Sequence, residues 1–263
     1  RRPEMIFCIE RAIDLAAQKF GFDRFDLRRH NMISSNRFPY QTALSYNYDS
    51  GDFEELMDHA YEFGDIASFE TRRQASIDKG LLRGLGITFA IEQTAGAVEE
   101  SVELEVTPEG GFRLLVGTHS HGQSHETTYR QILSDYLKID IDQIEFIQGD
   151  TDQIKQGKGT FGSRSIAVAG AAIAIASETV VDKAKAIAVD QLEVAVADME
   201  LNENGFVVVG TDRIVSWRGI GEACDIGTDL NTEVTVQPEG PTYPNALHLC
   251  EVEIDPETGE LTV

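Results

Sequence analysis

Two glycine-containing segments near the middle of the chain have the composition of anion-binding loops. Residues 117–128 and 159–165 each follow a strand-like or loop-like stretch and lead into a helix-like one. We therefore expect each segment to present unpaired backbone N–H groups at the start of a helix, where the helix dipole also favours negative charge. The amide of Gln123 in the first segment can both donate and accept hydrogen bonds. The pattern predicts a ligand that is bound from two sides.

The second segment has residues that would let a ligand approach the backbone closely. Gly159 and Gly162 can adopt backbone conformations that are closed to other residues. Ser163 and Ser165 are typical N-cap residues, and the guanidinium of Arg164 is a strong hydrogen-bond donor to phosphate. One glycine-rich turn would be weak support for a site. Two such turns, with a Gly-Asp-Thr-Asp sequence between them, are more specific.

Three histidines in the first segment allow a second interpretation, a metal site. His119, His121 and His125 could converge if alternate strand residues were followed by a helical turn. Zinc sites usually add a carboxylate or another ligand at a recognisable spacing, and only Asp150 and Asp152 are at hand. The residue pattern therefore favours histidines that pack or hydrogen-bond around a loop over those of a histidine metallohydrolase.

A serine hydrolase is a third interpretation, with Ser163 as the nucleophile and one of the histidines as the base. The nucleophile elbow places a glycine two residues before and two residues after the serine. Here Gly162 directly precedes Ser163, and Ser165 stands at the second position after it. The spacing argues against this class of enzyme.

The composition is that of a folded protein with a strongly acidic second half. The 263 residues are 41% hydrophobic and 8% aromatic, and the formal charge is 22 − 45 = −23. Residues 1–90 hold 12 Lys and Arg against 14 Asp and Glu, and residues 91–263 hold 10 against 31. Such a field repels nucleic acid and anionic membranes, so we expect neither as a partner. A noncatalytic acidic module that binds a basic partner is an alternative that this charge allows.

Cysteine usage and hydropathy favour a cytoplasmic location. Cys8, Cys224 and Cys250 are odd in number and widely spaced, which is typical of reduced, buried structural thiols. No signal peptide opens the chain and no run of about 18 apolar residues occurs, so we expect no membrane span. The chain does not begin with Met, and residues 259–263 resemble an interrupted strand. We expect an internal fragment of a longer polypeptide.

The hydrophobic periodicity predicts helices in the first part of the chain and alternating strands and helices after it. The predicted helices cover residues 4–20, 25–31, 53–63, 68–78, 126–138 and 166–188. The predicted strands cover residues 85–91, 102–106, 113–116, 144–148, 205–210, 214–217, 247–254 and 260–263. Because several antiparallel hairpins interleave with helices, the fold class is α+β, with mixed and antiparallel sheets packed with helices. We place a domain boundary near residue 79, where the helical pattern gives way to strands.

Seven segments resemble the large, molybdenum-binding subunit of the xanthine dehydrogenase/aldehyde oxidase family, most closely its carbon monoxide dehydrogenase-type branch. Their order and spacing match the family along the whole chain. They are residues 2–11, 26–31, 48–53, 118–128 (THSHGQSHETT), 149–152 (GDTD), 159–165 (GTFGSRS) and 250–255. The resemblance implies that residues 1–78 are the helical end of a first cofactor-binding domain. Residues 79–263 would be a second molybdopterin-binding domain that is truncated at its C-terminus.

The resemblance also implies a cofactor, molybdopterin cytosine dinucleotide carrying molybdenum. The first segment, around Gln123, would touch the molybdenum end without ligating the metal, and the second would contact the pterin and phosphate part. The residues expected to bind the cofactor are His121, Gly122, Gln123, Thr160, Phe161, Gly162, Ser163, Arg164 and Ser165.

The activity implied by the resemblance is the oxidation of an aldehyde, an N-heterocycle or carbon monoxide, with water as the oxygen source. Electrons would leave through 2Fe–2S and FAD groups on partner subunits or domains, in a complex expected to be a homodimer. The family's catalytic glutamate and substrate loop lie outside the matching segments, so we expect no catalytic residue here and an inactive isolated chain. Cys8 lies in the first predicted helix and does not match the copper-binding cysteine. Ser124 stands where many relatives have glycine.

Overall fold

The computed structural model describes residues 2–94, 98–224 and 230–263, and it confirms the α+β class. Its helices are α1 (Arg2–Phe20), α2 (Arg24–His30), α3 (Phe53–Phe63), α4 (Phe69–Ile77), α5 (His125–Leu137), α6 (Ala171–Leu192) and α7 (Trp217–Ala223). Its strands are β1 (Tyr40–Gln41), β2 (Asn47–Tyr48), β3 (Leu82–Ile91), β4 (Glu100–Val106), β5 (Phe112–Val116), β6 (Ile144–Gln148), β7 (Met199–Asn202), β8 (Gly205–Val208), β9 (Ile214–Val215), β10 (Thr232–Val236), β11 (Asn245–Ile254) and β12 (Leu261–Thr262).

Side-chain caps and a glycine stop define the ends of the first helices. The Asp52 carboxylate accepts a hydrogen bond of 2.9 Å from the Glu55 N–H and so begins α3. The Asp23 carboxylate caps α2 in the same way. Helix α1 ends before Gly21, whose φ of +74° is easily adopted only by a residue without a Cβ. These local signals explain why the helices predicted in this part of the chain are confirmed.

The chain forms two compact units, one made of Arg1–Gln93 with Thr242–Val263 and the other of Thr94–Pro241. In the first unit, β11 lies between β3 and β12 in an antiparallel sheet. Helices α1 and α4 contact β3, and α3 contacts β11. The buried core of this unit consists of Phe25, Met57, Ile66 and Ile87.

The change from helix to strand occurs where the sequence places it, but the compact units divide elsewhere. Helix α4 ends at Ile77 and β3 begins at Leu82. Strand β3 then pairs along its whole length with β11, so that Leu82 lies opposite Ile254. This pairing keeps β3 in the first unit, which therefore extends past residue 79 to Gln93. The assignment of residues 79–263 to one cofactor-binding domain stays a prediction.

The second unit contains a four-stranded sheet in the order β10–β4–β5–β6 and a three-stranded antiparallel sheet in the order β7–β8–β9. Strands β4 and β5 form the predicted hairpin. Strand β6 runs parallel to β5, and helix α5 provides the connection between them. The core of this unit is formed by the sheets together with helices α5, α6 and α7.

Helix α6 runs through this core. It is preceded by a π-helical turn, Ser165–Gly170, and it carries a buried stripe with a spacing of four residues, Ala172, Ala176, Val180, Ala184 and Ala188. By length and hydropathy alone, the stretch Ser165–Leu192 would suit a membrane span. Its buried stripe belongs instead to the hydrophobic cluster of the second unit, as in a core helix.

Some elements differ from the sequence predictions. Strands β7 and β10 and helix α7 were not predicted, and Trp217, expected in a strand, begins α7. The expectation of buried thiols is wrong for Cys8 and Cys250, which are exposed. Cys8 lies on α1, in which only Glu10 and Ala17 are buried, and Cys250 lies on β11, in which no residue is fully buried.

Candidate functional site

The two glycine segments belong to one edge of the four-stranded sheet. Strands β5 and β6 are parallel, with Val116 opposite Gln148 at their carboxyl ends. Residues 117–124 follow β5 and lead into α5, and residues 149–164 follow β6 and lead into the π-helical turn before α6. Because the carboxyl ends of parallel strands meet at the same edge, the two loops start side by side. We call residues 117–124 the first loop and residues 157–164 the second loop.

The backbones of the two loops pass each other in direct contact at a pair of glycines. A Cβ placed on Gly117 would overlap the Cα of Gly157 and would lie 2.6 Å from the carbonyl oxygen of Gln156. A Cβ placed on Gly157 would lie 2.7 Å from the carbonyl oxygen of Gly117. The contact exists because neither residue has a side chain.

Side chains add further bridges between the two loops. The Thr160 hydroxyl accepts a hydrogen bond of 2.9 Å from the His119 N–H, and it lies 3.1 Å from the Ser165 hydroxyl. The Thr118 hydroxyl lies 3.2 Å from the Tyr129 hydroxyl on α5. Thr160 therefore joins the first loop to the start of the π-helical turn, and Thr118 joins the first loop to α5.

The first loop has open space beside Gly122, and the N–H groups of residues 119–122 donate hydrogen bonds within the protein. The side-chain amide oxygen of Gln123, Oε1, accepts a hydrogen bond from the His121 N–H, which folds the side chain over its own loop. Within the described parts of the chain, no hydrogen bond is donated by the side-chain amide nitrogen of Gln123, so this donor is left for a ligand. Gly122 has a φ of +103° and no atom within 4 Å of a Cβ placed on it. Ser124, with a φ of 59°, completes the turn into α5.

A groove of about 480 Å³ opens beside this loop. Its lining consists of Ser120, Gly122, Ser124, His125, Glu126, Thr127, Phe146 and Gln148. The volume and the polar lining suit part of a ligand with several hydrogen-bonding groups.

Gln148 connects the first loop to His125 through hydrogen bonds. The Gln148 side chain accepts a hydrogen bond from the Ser120 N–H at 3.1 Å, and its amide nitrogen lies 3.1 Å from Nδ1 of His125. Burial lowers the pKa of His125, with smaller contributions from the positive charges that His121 and His119 can carry. Because the amide nitrogen of Gln148 can only donate, Nδ1 of His125 is the acceptor of this hydrogen bond. Sequence reasoning missed Gln148, and its place at the end of a buried strand was the available signal.

The second loop has the backbone conformation that its glycines predict. Gly159 and Gly162 have φ values of +81° and +59°, and Ser163 also has a positive φ of 60°. No atom lies within 4 Å of a Cβ placed on Gly159. The Phe161 side chain is 46% exposed at the tip of the loop. The loop therefore lies outside any strand and presents its backbone to open space.

The capping role expected of two serines is not what the structure has. Arg164 stands at the N-cap position of the π-helical turn, and no side chain makes the capping hydrogen bond. Ser165 is the first residue of the turn, and its hydroxyl lies against Thr160. Ser163 belongs to the loop, with a backbone conformation that does not suit an N-cap. The serines shape the loop, and the backbone N–H groups of the turn keep no side-chain cap.

The phosphate-donor role expected of Arg164 is also corrected by the structure. Its side chain is fully buried and forms an ion pair of 2.6 Å with Glu100. The same guanidinium donates to the carbonyl oxygens of Gly159, Val98 and Glu99. Its Nε has no partner among the described residues and is buried. With four N–H groups engaged inside the protein, Arg164 holds the loop in place; the sequence offered no signal for its partner Glu100.

The metal interpretation finds no support in the geometry. The rings of His119 and His121 are 5.1 Å apart, but His125 is directed to Gln148. Asp150 accepts hydrogen bonds from the Asp152 N–H and the Gln153 side chain, which lower the pKa of its carboxyl group. Throughout the described ranges, no group of three His, Cys, Asp or Glu side chains could hold a metal ion.

The arrangement is suited to a large, anionic, hydrogen-bonding ligand. Two helical segments begin at the same sheet edge, and no side chain caps the N-terminus of either α5 or the π-helical turn. Uncapped backbone N–H groups at a helix N-terminus can bind an anion. The two glycines with open space above them, Gly122 and Gly159, would let such a ligand lie against the main chain. The loops thus fit a phosphate-containing cofactor with polar ring systems.

Comparison with known proteins agrees with this geometry. The model of the molybdopterin cofactor-binding domain family matches residues 60–263. The carbon monoxide dehydrogenase large chain of Hydrogenophaga pseudoflava is 33% identical over 284 residues, which cover 100% of this chain and 35% of that protein. The 6-hydroxypseudooxynicotine dehydrogenase complex subunit gamma of Paenarthrobacter nicotinovorans is 30% identical, covering 98% of this chain and 34% of that protein.

A solved structure shows the same fold. The reconstituted CO dehydrogenase from Oligotropha carboxidovorans matches with a TM-score of 0.82 and 31% identity, over 98% of this chain and 35% of that chain. The chain therefore spans about a third of the length of the relatives it matches.

Proposed function

The chain belongs to the molybdopterin cofactor-binding domain family, and from that premise we propose that it holds the molybdenum cofactor of an oxidoreductase. The observation that carries the proposal is the convergence of two open glycine loops at one sheet edge, in backbone contact at Gly117 and Gly157. When bound, the cofactor would supply the oxidation of a carbon centre with water as the oxygen source.

The residues of the two loops have distinct roles in this proposal. The side-chain amide nitrogen of Gln123 would donate to the molybdenum end of the cofactor, with the side chain oriented by its hydrogen bond from the His121 N–H. The open backbone at Gly122 would allow close approach. In the second loop, residues 160–163 and the N–H groups of the following turn would bind the pterin and phosphate part. Arg164 would act by holding that loop.

The parent enzyme would act on an aldehyde, an N-heterocycle or carbon monoxide as a small-molecule substrate. The relatives named as carbon monoxide dehydrogenase and as a dehydrogenase complex subunit support an oxidoreductase with partner subunits. We propose that these partners carry 2Fe–2S and FAD groups, that the complex is a homodimer, and that the cofactor is the cytosine dinucleotide. The absence of any disulfide among the described cysteines is compatible with the cytoplasmic location that we propose.

The test is the metal and nucleotide content of the full-length protein purified from its native host. We expect molybdenum in equal molar amount with this chain, measured by plasma mass spectrometry, and release of a pterin dinucleotide on denaturation. Zinc in place of molybdenum would instead indicate the histidine metallohydrolase. A protein free of metal and dinucleotide would indicate the acidic interaction module, and either result would overturn the proposal.

A second measurement tests whether this chain is catalytically active by itself. We propose that this segment binds cofactor but contributes no catalytic base, because the catalytic glutamate that the resemblance implies lies outside the matching segments. The purified 263-residue chain should show no aldehyde- or purine-dependent dye reduction. Turnover by that chain alone would contradict this part.

A further inference from the structure

We propose that Glu100 is a positioning residue for the cofactor site, because its ion pair with Arg164 sets the shape of the second loop and its position beside the first. The inference rests on the proposed function, since it assigns a role in cofactor binding to a residue outside both loops. Glu100 begins strand β4 and its residue is 1% exposed.

The ion pair itself is completely buried. Arg164 Nη1 lies 2.6 Å from Glu100 Oε2, and both side chains are 0% exposed. The desolvation of two charges offsets most of their attraction, so that apolar residues of similar volume are often as stabilising as such a pair. We therefore attribute to this pair the geometry that it imposes on the loop and little net stabilisation.

Arg164 closes the second loop at its base. The guanidinium is attached to one end of the loop, and it donates a hydrogen bond of 2.8 Å to the carbonyl oxygen of Gly159 at the other end. It also donates to the carbonyl oxygens of Val98 and Glu99, at 3.0 Å and 2.7 Å, which anchors the loop beside the start of β4. Residues 160–163 thus lie in a turn that the Arg164 side chain closes.

Glu100 connects this loop to the first one. Its second carboxylate oxygen, Oε1, lies 3.3 Å from the Lys158 N–H, which belongs to the second loop, and from the Ser101 N–H. The same oxygen lies 2.5 Å from a Cβ placed on Gly117 of the first loop. One carboxylate therefore contacts both loops at the point where their backbones meet.

An ion pair elsewhere on the same sheet provides a matched control. Arg113 on β5 pairs with Glu105 on β4 and with Glu145 on β6. Its side chain is 30% exposed, and its hydrogen bonds go to Glu105, Glu145 and Gln153, all outside residues 117–124 and 157–164. Replacing Arg113 removes both of its ion pairs. This should change the charge of the sheet surface without changing the conformation of the two loops.

The test uses the full-length protein and two variants, the double variant Glu100→Leu/Arg164→Met and the single variant Arg164→Lys. The double variant replaces the buried pair by apolar residues, so that the core keeps its volume while the loop loses its hydrogen bonds. Arg164→Lys keeps a charge for Glu100 but lacks the planar fork that reaches Gly159, Val98 and Glu99 together. Arg113→Met is the control.

Two readouts are compared, hydrogen–deuterium exchange of peptides covering residues 157–165 and the dissociation rate of the molybdenum cofactor. In each variant that folds, we expect loop exchange and cofactor loss to be faster by about tenfold or more, with exchange in α6 unchanged. Arg113→Met should match the wild type in both. If a folded variant of either kind exchanges within about twofold of the wild type at residues 157–165, the positioning role is overturned.

The two proposals can fail separately in this experiment. Wild-type protein without molybdenum would overturn the proposed function, but the exchange rates would still decide whether Glu100 and Arg164 shape the loop. Faster loop exchange with unchanged cofactor dissociation would overturn the role of Glu100 in cofactor binding while leaving the proposed function intact.

Discussion

Replacing Gly117 with alanine should separate the two loops of the site. The new methyl group would overlap Gly157 Cα, and it would lie 2.5 Å from Glu100 Oε1 and 2.6 Å from the Gln156 carbonyl oxygen. Comfortable contacts of a carbon atom begin at about 3.5 Å, so the second loop has to move by about 1 Å. Most of the opposing atoms belong to the backbone, and the Glu100 carboxylate is fixed by Arg164. The strain cannot be relieved by the rotation of an exposed side chain.

The magnitude follows from the cost of overpacking. Inserting a methyl group into a filled space costs about 1–3 kcal/mol, and the fixed backbone puts Gly117→Ala near 3 kcal/mol. For a unit of this size, each kcal/mol lowers Tm by about 2–4 °C, so we expect a decrease of about 6–12 °C. Because the loops would separate where the ligand lies, molybdenum content should fall as well.

The assay is thermal unfolding of the full-length protein by calorimetry, combined with metal analysis of the same sample. Gly240→Ala is the matched control in the same unit, because no atom lies within 4 Å of a Cβ at Gly240 and its φ is not in the left-handed region. It should leave both quantities unchanged. If Gly117→Ala unfolds within about 2 °C of the wild type and keeps its molybdenum, the backbones of the two loops are not in close contact at Gly117.

Three other perturbations test individual residues of the site. Gln123→Ala should lower turnover by an amount equivalent to about 3 kcal/mol in the barrier, or lower cofactor retention, at nearly constant Tm, because a preorganised donor is lost; wild-type turnover with full molybdenum content would remove Gln123 from the site. Gly162→Val should abolish cofactor loading, because a β-branched residue is strained at a φ of +59° and would crowd the ligand; a fully loaded variant would contradict this. Burial lowers the pKa of His125, so the folded state binds a proton on this ring less readily than the unfolded state. The free energy of unfolding that neutral His125 contributes should therefore be fully present above about pH 6.5. It should be lost as the pH falls below that value. Calorimetry of wild type and His125→Gln between about pH 5 and 8 should show a smaller acid-side loss of Tm in the variant, and parallel curves would count against the buried, neutral ring.

The sequence by itself determined those parts of the molecule that depend on neighbours along the chain. Asp52 and Gly21 mark the ends of helices because capping and positive φ involve only nearby residues. The hairpin of β4 and β5 follows from two apolar stretches around a short turn. The second loop likewise has the positive φ values at Gly159 and Gly162 that the sequence predicted.

Only the tertiary structure decided which residues that are distant in sequence contact each other. The sequence predicts that strand β3 starts a new domain. In the structure this strand pairs with β11, more than a hundred residues later in the chain. Arg164 has the chemistry of a phosphate ligand, yet burial against Glu100 commits it to the protein. A guanidinium can pair with either a phosphate or a carboxylate, and the partner of Arg164 is set by the carboxylate that the fold buries beside it. The contact of Gly117 with Gly157 likewise depends on two parallel strands ending at the same edge, which no local pattern specifies.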